Sequence, residues 1–176
     1  MLIVPERAPE EAQAVALAKV EHVLQWEELK LQADGLKLVL PHHVCNLRTR
    51  GLLSNTQELR SATDPGGWRF LVADANGVVH AAVQTWHESD RWKASSVRTG
   101  TWATATKAAV VGVGLPDEAV LAYLWCRSTW TAALWLQATA GGEDKVVPLP
   151  WVKGLMPLSP IPPATYLKAM RERAKR

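Results

Sequence analysis

The segment from Gly67 to Trp86 constrains the fold of this 176-residue chain more than any other part of the sequence. It holds two apolar runs joined by Asn76-Gly77. Such a pair between alternating segments is a strong hairpin signal, because both residues tolerate positive φ. We therefore expect a two-residue type I′ turn, which sets the register of the two strands. The predicted cross-strand pairs are Ala75 with Val78, Ala73 with His80, Leu71 with Ala82, and Arg69 with Gln84.

The two faces of this predicted hairpin differ in composition. One face carries Trp68, Phe70 and Val72, and we expect it to lie in the core. The opposite face carries Arg69 and small residues, so a thinner or partly wetted layer can cover it. Further alternating runs follow along the chain. The prediction is an α+β fold whose sheet is an antiparallel, mainly meander arrangement of about five or six strands.

Apolar residues recur at helical spacing after Pro9, which predicts an amphipathic N-terminal helix over 9–33. The end of this helix leaves two alternatives open. Residues 27–40 form either a helix end followed by a strand, or a hairpin about Asp34-Gly35. High helix propensity before Asp34 favours the first alternative.

Two further helices are predicted to pack on the sheet. Thr101 can cap a short middle helix that runs to Val111. Pro163 opens a C-terminal helix over 163–174, because proline is favoured in a first helical turn. The residues of this helix that are expected to face inward are Tyr166, Leu167 and Met170.

The other segments complete a predicted single domain over 1–176. Residues 41–66 show no sustained period and are predicted to be irregular, whereas 67–149 form the sheet region and 150–163 form a proline-rich strap. Long irregular segments in compact domains are often functional, so 41–66 is where a site is first expected. The residues expected to attach the strap to the body are Trp151, Leu155, Met156 and Ile161.

Tryptophan usage is the most unusual feature of the composition. The chain has nine Trp, against one Phe and two Tyr. Trp combines a large apolar area with one hydrogen-bond donor, so it can fill a core or anchor an interface. Trp130 lies in an alternating run and is expected on a buried strand face. The residues expected on an exposed partner-binding surface are Trp92, Trp102 and Trp151.

The leading functional hypothesis is a non-catalytic protein-interaction module. No motif in the sequence specifies a reaction, and the Trp excess and the apolar strap favour contact with another protein. This hypothesis describes a small bacterial-type accessory, adaptor or immunity protein that binds a protein partner, a second copy of itself, or both. No cofactor is expected.

A small hydrolase or transferase is the alternative hypothesis, because a Cys-His pair can supply a nucleophile and its base. The candidate catalytic residues are His43, Cys45, His80 and His87. On an extended segment His43 and Cys45 point the same way, but a zinc site needs three or four ligands and no second pair with suitable spacing follows. No metal site is therefore predicted.

Nucleic-acid binding is the third hypothesis. The formal net charge is +3, and basic residues gather near the C-terminus. They can attract phosphates, or they can simply favour the negative end of a helix. The residues concerned are Lys168, Arg171, Arg173, Lys175 and Arg176.

Cysteine usage and apolar runs indicate the cellular compartment that this sequence suits. Two cysteines are too few for a disulfide framework. The first residues lack the pattern of an export leader, and no apolar run reaches the roughly 18 residues needed to span a bilayer. We therefore expect a cytoplasmic protein without a membrane partner.

Overall fold

The computed structural model describes residues 7–26, 35–54, 56–95, 97–113, 119–139, 142–149 and 154–175, apart from the side chains of 24–26. The helices in these ranges are α1 (Glu10–Trp26), α2 (Thr49–Leu53), α3 (Leu59–Ala62), α4 (Thr101–Gly112) and α5 (Pro163–Ala174). The strands are β1 (Lys37–Leu47), β2 (Thr63–Ala73), β3 (Val79–Glu88), β4 (Arg91–Ala94), β5 (Arg98–Thr99), β6 (Ala119–Cys126), β7 (Thr131–Ala138) and β8 (Lys145–Pro148). The α+β class is confirmed, and the described part of the chain has more strands than predicted.

The chain divides into two compact units, each drawn from separate stretches of sequence. The hairpin unit contains the described residues of 7–42 and 67–107, and the C-terminal unit contains those of 43–66 and 108–175. Strands β1 and β2 therefore contribute residues to both units. The expectation of a single domain over 1–176 remains a prediction.

In the hairpin unit the strand order is β4-β3-β2, and β5 also pairs with β3. All of these pairs are antiparallel. A two-residue turn at Ser89 and Asp90, with φ of 49° and 60°, joins β3 to β4. This part of the sheet confirms the predicted meander.

The loop between β2 and β3 is not the predicted type I′ turn. Within this loop only Gly77 has positive φ, at 77°. Its N–H donates to Asp74 O at 3.0 Å, and Asp74 N–H donates to Val78 O at 3.0 Å, so the loop has one residue more than predicted. The reason is the Asp74 carboxylate, whose Oδ1 accepts hydrogen bonds from the N–H groups of Asn76 and Val78 at 2.9 Å each.

The longer loop changes the pairing only next to the turn. Ala73 pairs with Val79 instead of His80, and a bulge then shifts the register by one residue. The predicted pairs of Leu71 and Arg69 are therefore confirmed, and the predicted pairs at the turn are wrong.

The two faces of the hairpin pack against different helices. On one face Trp68, Phe70 and Val72 pack with Ala12, Ala16 and Val20 of α1, as expected for a core face. On the other face Leu71, Ala73 and Ala82 pack with Ala103 of α4, and Arg69 is buried as well. Ala103 of α4 packs on this face, whereas Gln84, opposite Arg69, is only half-buried, which agrees with the expected thinner or partly wetted layer. The predicted middle helix is confirmed by α4, and the described part of the N-terminal helix by α1, whereas 27–34 lie outside the described residues.

In the C-terminal unit the strand order is β2-β1-β6-β7-β8, with β2 and β1 contributing 63–66 and 43–47. The pairs β6-β7 and β7-β8 are antiparallel, but β1 and β6 are parallel, from His43 opposite Ala122 to Asn46 opposite Trp125. The sheet is therefore mixed, which corrects the antiparallel meander. A parallel pair needs a long crossover connection, and no local sequence signal indicates it.

The segment 41–66 is not irregular. It contains the second half of β1, helices α2 and α3, and the start of β2. Pro41 conceals the strand, because proline cannot donate to a strand ladder and usually argues against a strand. Helices α2 and α3 span five and four residues, which is too short for a helical period to show in the sequence.

Helix α5 begins at Pro163, and Tyr166, Leu167 and Met170 are buried, as predicted. In the strap, Ile161 and Val146 exchange two backbone hydrogen bonds of 2.8 Å. Leu155 and Ile161 pack against the core as expected. Met156 is 74% exposed, so its predicted attachment role is wrong, and Trp151 lies outside the described residues.

Among the helices of the described residues, none has the length and apolar character required to cross a bilayer.

Candidate protein-binding site

The loop that joins β6 to β7, Arg127 to Trp130, ends in an unusual backbone conformation. Trp130 has φ of 50°, and its N–H donates to Arg127 O at 3.4 Å. Gly or Asn normally occupies such a position, because a Cβ meets backbone atoms at positive φ. A tryptophan in this conformation costs about 1–2 kcal/mol.

The side chain of Trp130 is exposed to solvent. It is 68% exposed, although tryptophan is usually well buried in folded proteins. Its ring forms an edge-to-face pair with Trp125 of β6, with centroids 5.9 Å apart and an interplanar angle of 87°. The loop therefore presents one supported indole ring to solvent.

Buried contacts on the other side of this loop fix its position. Thr129 and Thr131 are buried, and their hydroxyl oxygens lie 2.8 Å apart. Thr131 Oγ1 also donates to Met170 Sδ of α5 at 3.1 Å. These contacts join the loop to α5, so Trp130 extends from a loop that is held on a helix.

The structure does not place Trp130 on the buried face that its alternating pattern predicted. The pairing of Cys126 with Thr131 leaves 127–130 as the loop, so Trp130 falls just outside β7. The sequence pattern did not reveal this exposure, because Trp is a strong strand former and Trp130 lies in an otherwise apolar run. A turn centred on Ser128 and Thr129 places Trp130 directly beside the turn and outside the strand. The position of that turn was the sequence signal that could have identified it.

The three tryptophans predicted to bind a partner occupy other environments. Trp92 is half-buried, packs against the α1 side of the hairpin, and forms an edge-to-face pair with His87 at 5.4 Å. Trp102 is half-buried in the first turn of α4. Trp151 lies outside the described residues, so a role for these three in binding remains a prediction.

His43 and Cys45 lie on β1, opposite Ala122 and Leu124 of β6. Cys45 packs against the core of the C-terminal unit, and burial raises the pKa of its thiol to about 11. The thiolate is the nucleophilic form, so this cysteine is protonated and weakly reactive at neutral pH. The other cysteine, Cys126, is fully buried.

Cys45 is expected to react with iodoacetamide at about pH 8 roughly 100-fold more slowly than a thiol of ordinary pKa, because the thiolate fraction falls tenfold per pKa unit. The measurement is a time course of alkylation with peptide mapping by mass spectrometry. The same chain in urea is the control, and there Cys45 should react at an ordinary rate. Fast alkylation of Cys45 in the folded chain contradicts this prediction and supports the enzyme hypothesis.

The other candidate histidines take part in local contacts. His80 Nε2 lies 2.9 Å from Asp74 Oδ2, and this hydrogen bond, together with those from the N–H groups of Val78 and Asn76, lowers the pKa of Asp74. His87 packs on Trp92. Across the described ranges, no group of three or more His, Cys, Asp and Glu side chains could hold a metal ion.

The basic residues of α5 and the C-terminus differ in the contacts that their side chains make. Arg171 donates from Nε to Leu52 O at 2.7 Å and from Nη2 to Thr56 O, so its guanidinium binds α2 and the residues that follow. Arg173 has one buried guanidinium nitrogen. Lys168 of α5 and Lys175, which follows the helix, are exposed, whereas Arg176 lies outside the described residues.

A cavity of about 560 Å³ opens near the start of α1. Its charged side chains are Arg7 and Glu10, which have opposite signs, and Gln13 Nε2 donates to Ala8 O at 2.8 Å. Among the residues that the structure describes, this lining contains no histidine, cysteine or hydroxyl group. The residues that line it are Arg7, Ala8, Pro9, Glu10, Gln13 and Pro41.

Comparisons of this chain with protein-family models, curated proteins and solved structures give no match.

Proposed function

We propose that this chain is a non-catalytic protein-interaction module that binds its partner through Trp130. The observation that carries the proposal is a 68% exposed indole on a residue with φ of 50°. Both features oppose stability, since the backbone is strained and a large apolar ring meets water. Strain of this kind is concentrated at functional sites, and Trp is the residue type most enriched at the energetic centres of protein interfaces.

The support beneath Trp130 favours the same function. An anchor on a mobile loop loses conformational entropy on binding, whereas a preorganised anchor does not. Trp125 holds the ring of Trp130 from one side, and the buried hydroxyls of Thr129 and Thr131 hold the loop on α5. The partner therefore meets a ring that already has its bound orientation.

The enzyme hypothesis has less support. Burial raises the pKa of the Cys45 thiol to about 11, which opposes a nucleophilic role. His80 is hydrogen-bonded to Asp74 beside the hairpin loop, and His87 packs on Trp92. These contacts account for both histidines as structural residues of the hairpin unit.

Replacement of Trp130 tests the proposal. Trp130→Gly relieves strain of about 1–2 kcal/mol and removes an aromatic contact of about 0.5–1.5 kcal/mol, so the free energy of unfolding should change by less than about 1 kcal/mol. Loss of an interface anchor should weaken binding by roughly 30-fold or more. The matched control is Val111→Ser, which removes another exposed apolar side chain (71% exposed) of the same unit.

The experiment is affinity capture from the native lysate with the full chain, together with sedimentation velocity of the pure chain to detect self-association. A stoichiometric protein, or a second copy, that binds the wild type and Val111→Ser but not Trp130→Gly supports the proposal. A partner that Trp130→Gly retains undiminished contradicts it. Retention of nucleic acid without any protein contradicts it as well.

A further inference from the structure

The tip of the β2-β3 loop presents an Asn-Gly pair to solvent. Asn76 and Gly77 are both exposed, and no atom lies within 4 Å of a Cβ placed on Gly77. Asparagine is a thermally labile residue type, because the backbone nitrogen of the next residue can attack its side-chain amide carbon. A following glycine leaves that nitrogen unshielded, since glycine has no Cβ and adopts many backbone conformations. The loop therefore holds the two groups that such a reaction needs.

We propose that Asn76 is a site of spontaneous deamidation and that Asp74 sets the rate of this reaction. The Gly77 nitrogen loses its proton and forms a bond to Cγ of Asn76, and the side-chain nitrogen leaves as ammonia. The product is a five-membered succinimide, and one water molecule then opens it at either carbonyl. One opening gives aspartate, and the other gives isoaspartate, in which the backbone runs through the side-chain carbon.

Hydrogen bonds of the folded loop restrain the nitrogen that must react. The Gly77 N–H donates to Asp74 O at 3.0 Å, and the Asn76 N–H donates to Asp74 Oδ1 at 2.9 Å. Lys107 of α4 also donates from Nζ to Gly77 O. The Gly77 nitrogen has to lose its proton and turn towards Asn76 Cγ, which breaks the bond to Asp74 O. The reaction therefore proceeds through local opening of the loop.

Asp74 is the main restraint on this opening, because its carboxylate accepts hydrogen bonds from three groups. Besides the Asn76 N–H, the Val78 N–H donates to Oδ1 at 2.9 Å, and His80 Nε2 lies 2.9 Å from Oδ2. The hydrogen bond with His80, together with those from Val78 and Asn76, lowers the pKa of Asp74, so the carboxylate is ionised at neutral pH. An ionised acceptor strengthens each of these hydrogen bonds.

The test follows the full wild-type chain during incubation in a mildly alkaline buffer, with peptide mapping by mass spectrometry. Chromatography separates the aspartate and isoaspartate forms of the peptide, and we expect both forms at residue 76. Asn46 lies in β1 and precedes Leu47, so it should remain intact. The same chain in urea is the reference for an open loop. A folded chain that keeps Asn76 intact while the chain in urea is modified overturns the proposal.

Two substitutions of Asp74 measure its control of the rate. Asp74→Ala should accelerate deamidation of Asn76 about fivefold or more, because two N–H groups of the loop lose their charged acceptor. Asp74→Asn retains an acceptor oxygen and should give a smaller acceleration. The matched control is Glu88→Ala, which removes another acidic side chain of the hairpin unit, paired with Lys93, and should alter the rate less than about twofold.

Far-UV circular dichroism shows whether each variant is folded during the incubation. If Asp74→Ala does not fold, Asp74→Asn and Lys107→Met replace it, and each should accelerate deamidation about twofold or more, since each weakens a hydrogen bond of the loop. Equal rates in the wild type and in the folded variants overturn control by Asp74. An equal acceleration by Glu88→Ala overturns it as well, because net charge would then account for the effect.

Discussion

Gly67→Ala is expected to lower the free energy of unfolding by about 3–5 kcal/mol, because it combines backbone strain with a clash against backbone atoms. Gly67 has φ of 97°, a conformation that side chains disfavour. A Cβ there would contact Thr85 O and would lie 2.8 Å from Trp86 Cα, both in the paired strand β3. Because these are backbone atoms within a ladder, they cannot move aside without disrupting the hairpin.

Urea denaturation followed by far-UV circular dichroism measures this change, and Gly77→Ala is the matched control. Gly77 also has positive φ (77°), but no atom lies within 4 Å of a Cβ placed there. Only strain of about 1–2 kcal/mol is therefore expected at Gly77. Equal effects of the two variants would contradict the close approach of β3 to Gly67.

Phe70→Ala is expected to lower the free energy of unfolding by about 3–5 kcal/mol, since it leaves a cavity in a packed core. Phe70 is the one phenylalanine of the chain and is 1% exposed. It lies on the face of the hairpin that packs with Ala12 and Ala16 of α1. These alanine side chains are too short to fill the space that the ring would leave.

The same denaturation experiment tests this prediction, with Val78→Ala as the control on the same hairpin. Val78 is 51% exposed, so its truncation should change the free energy of unfolding by less than about 1 kcal/mol. Phe70→Leu should restore most of the loss, because it refills much of the cavity. A small effect of Phe70→Ala would mean that the α1 face of the hairpin is not a packed core.

The local elements of this fold were predictable because their signals lie within a few neighbouring residues. Pro163 begins α5, a helical period identifies α1, and two apolar runs about Asn76-Gly77 identify the β2-β3 hairpin. The detail of that hairpin was harder to predict. The Asp74 carboxylate accepts hydrogen bonds from N–H groups of the loop, and the loop is one residue longer than predicted. A bulge follows this loop, so the strand pairs from Val72 onward are the predicted ones.

Features of the candidate site could be predicted only in part. The Trp excess led to the prediction of a binding function, which remains a proposal, and it did not indicate which tryptophan is exposed. Exposure of Trp130 depends on where the pairing of β6 with β7 ends, and a shift of one residue moves a side chain to another environment. The basic residues of α5 were identified, whereas the contacts of Arg171 with Leu52 O and Thr56 O join residues far apart in sequence.

Sequence patterns alone determined the fold class, the main helices, the core face of the hairpin and the excess of basic residues near the C-terminus. These properties follow from overall composition and from periodicity and turn chemistry, which involve residues that lie close together in sequence. Tertiary structure decided that β1 pairs with β6 in parallel, that burial raises the pKa of Cys45 to about 11, and that Trp130 faces solvent. Each of these depends on groups that lie far away in sequence or on the exact end of a strand pair, and no local pattern encodes such contacts.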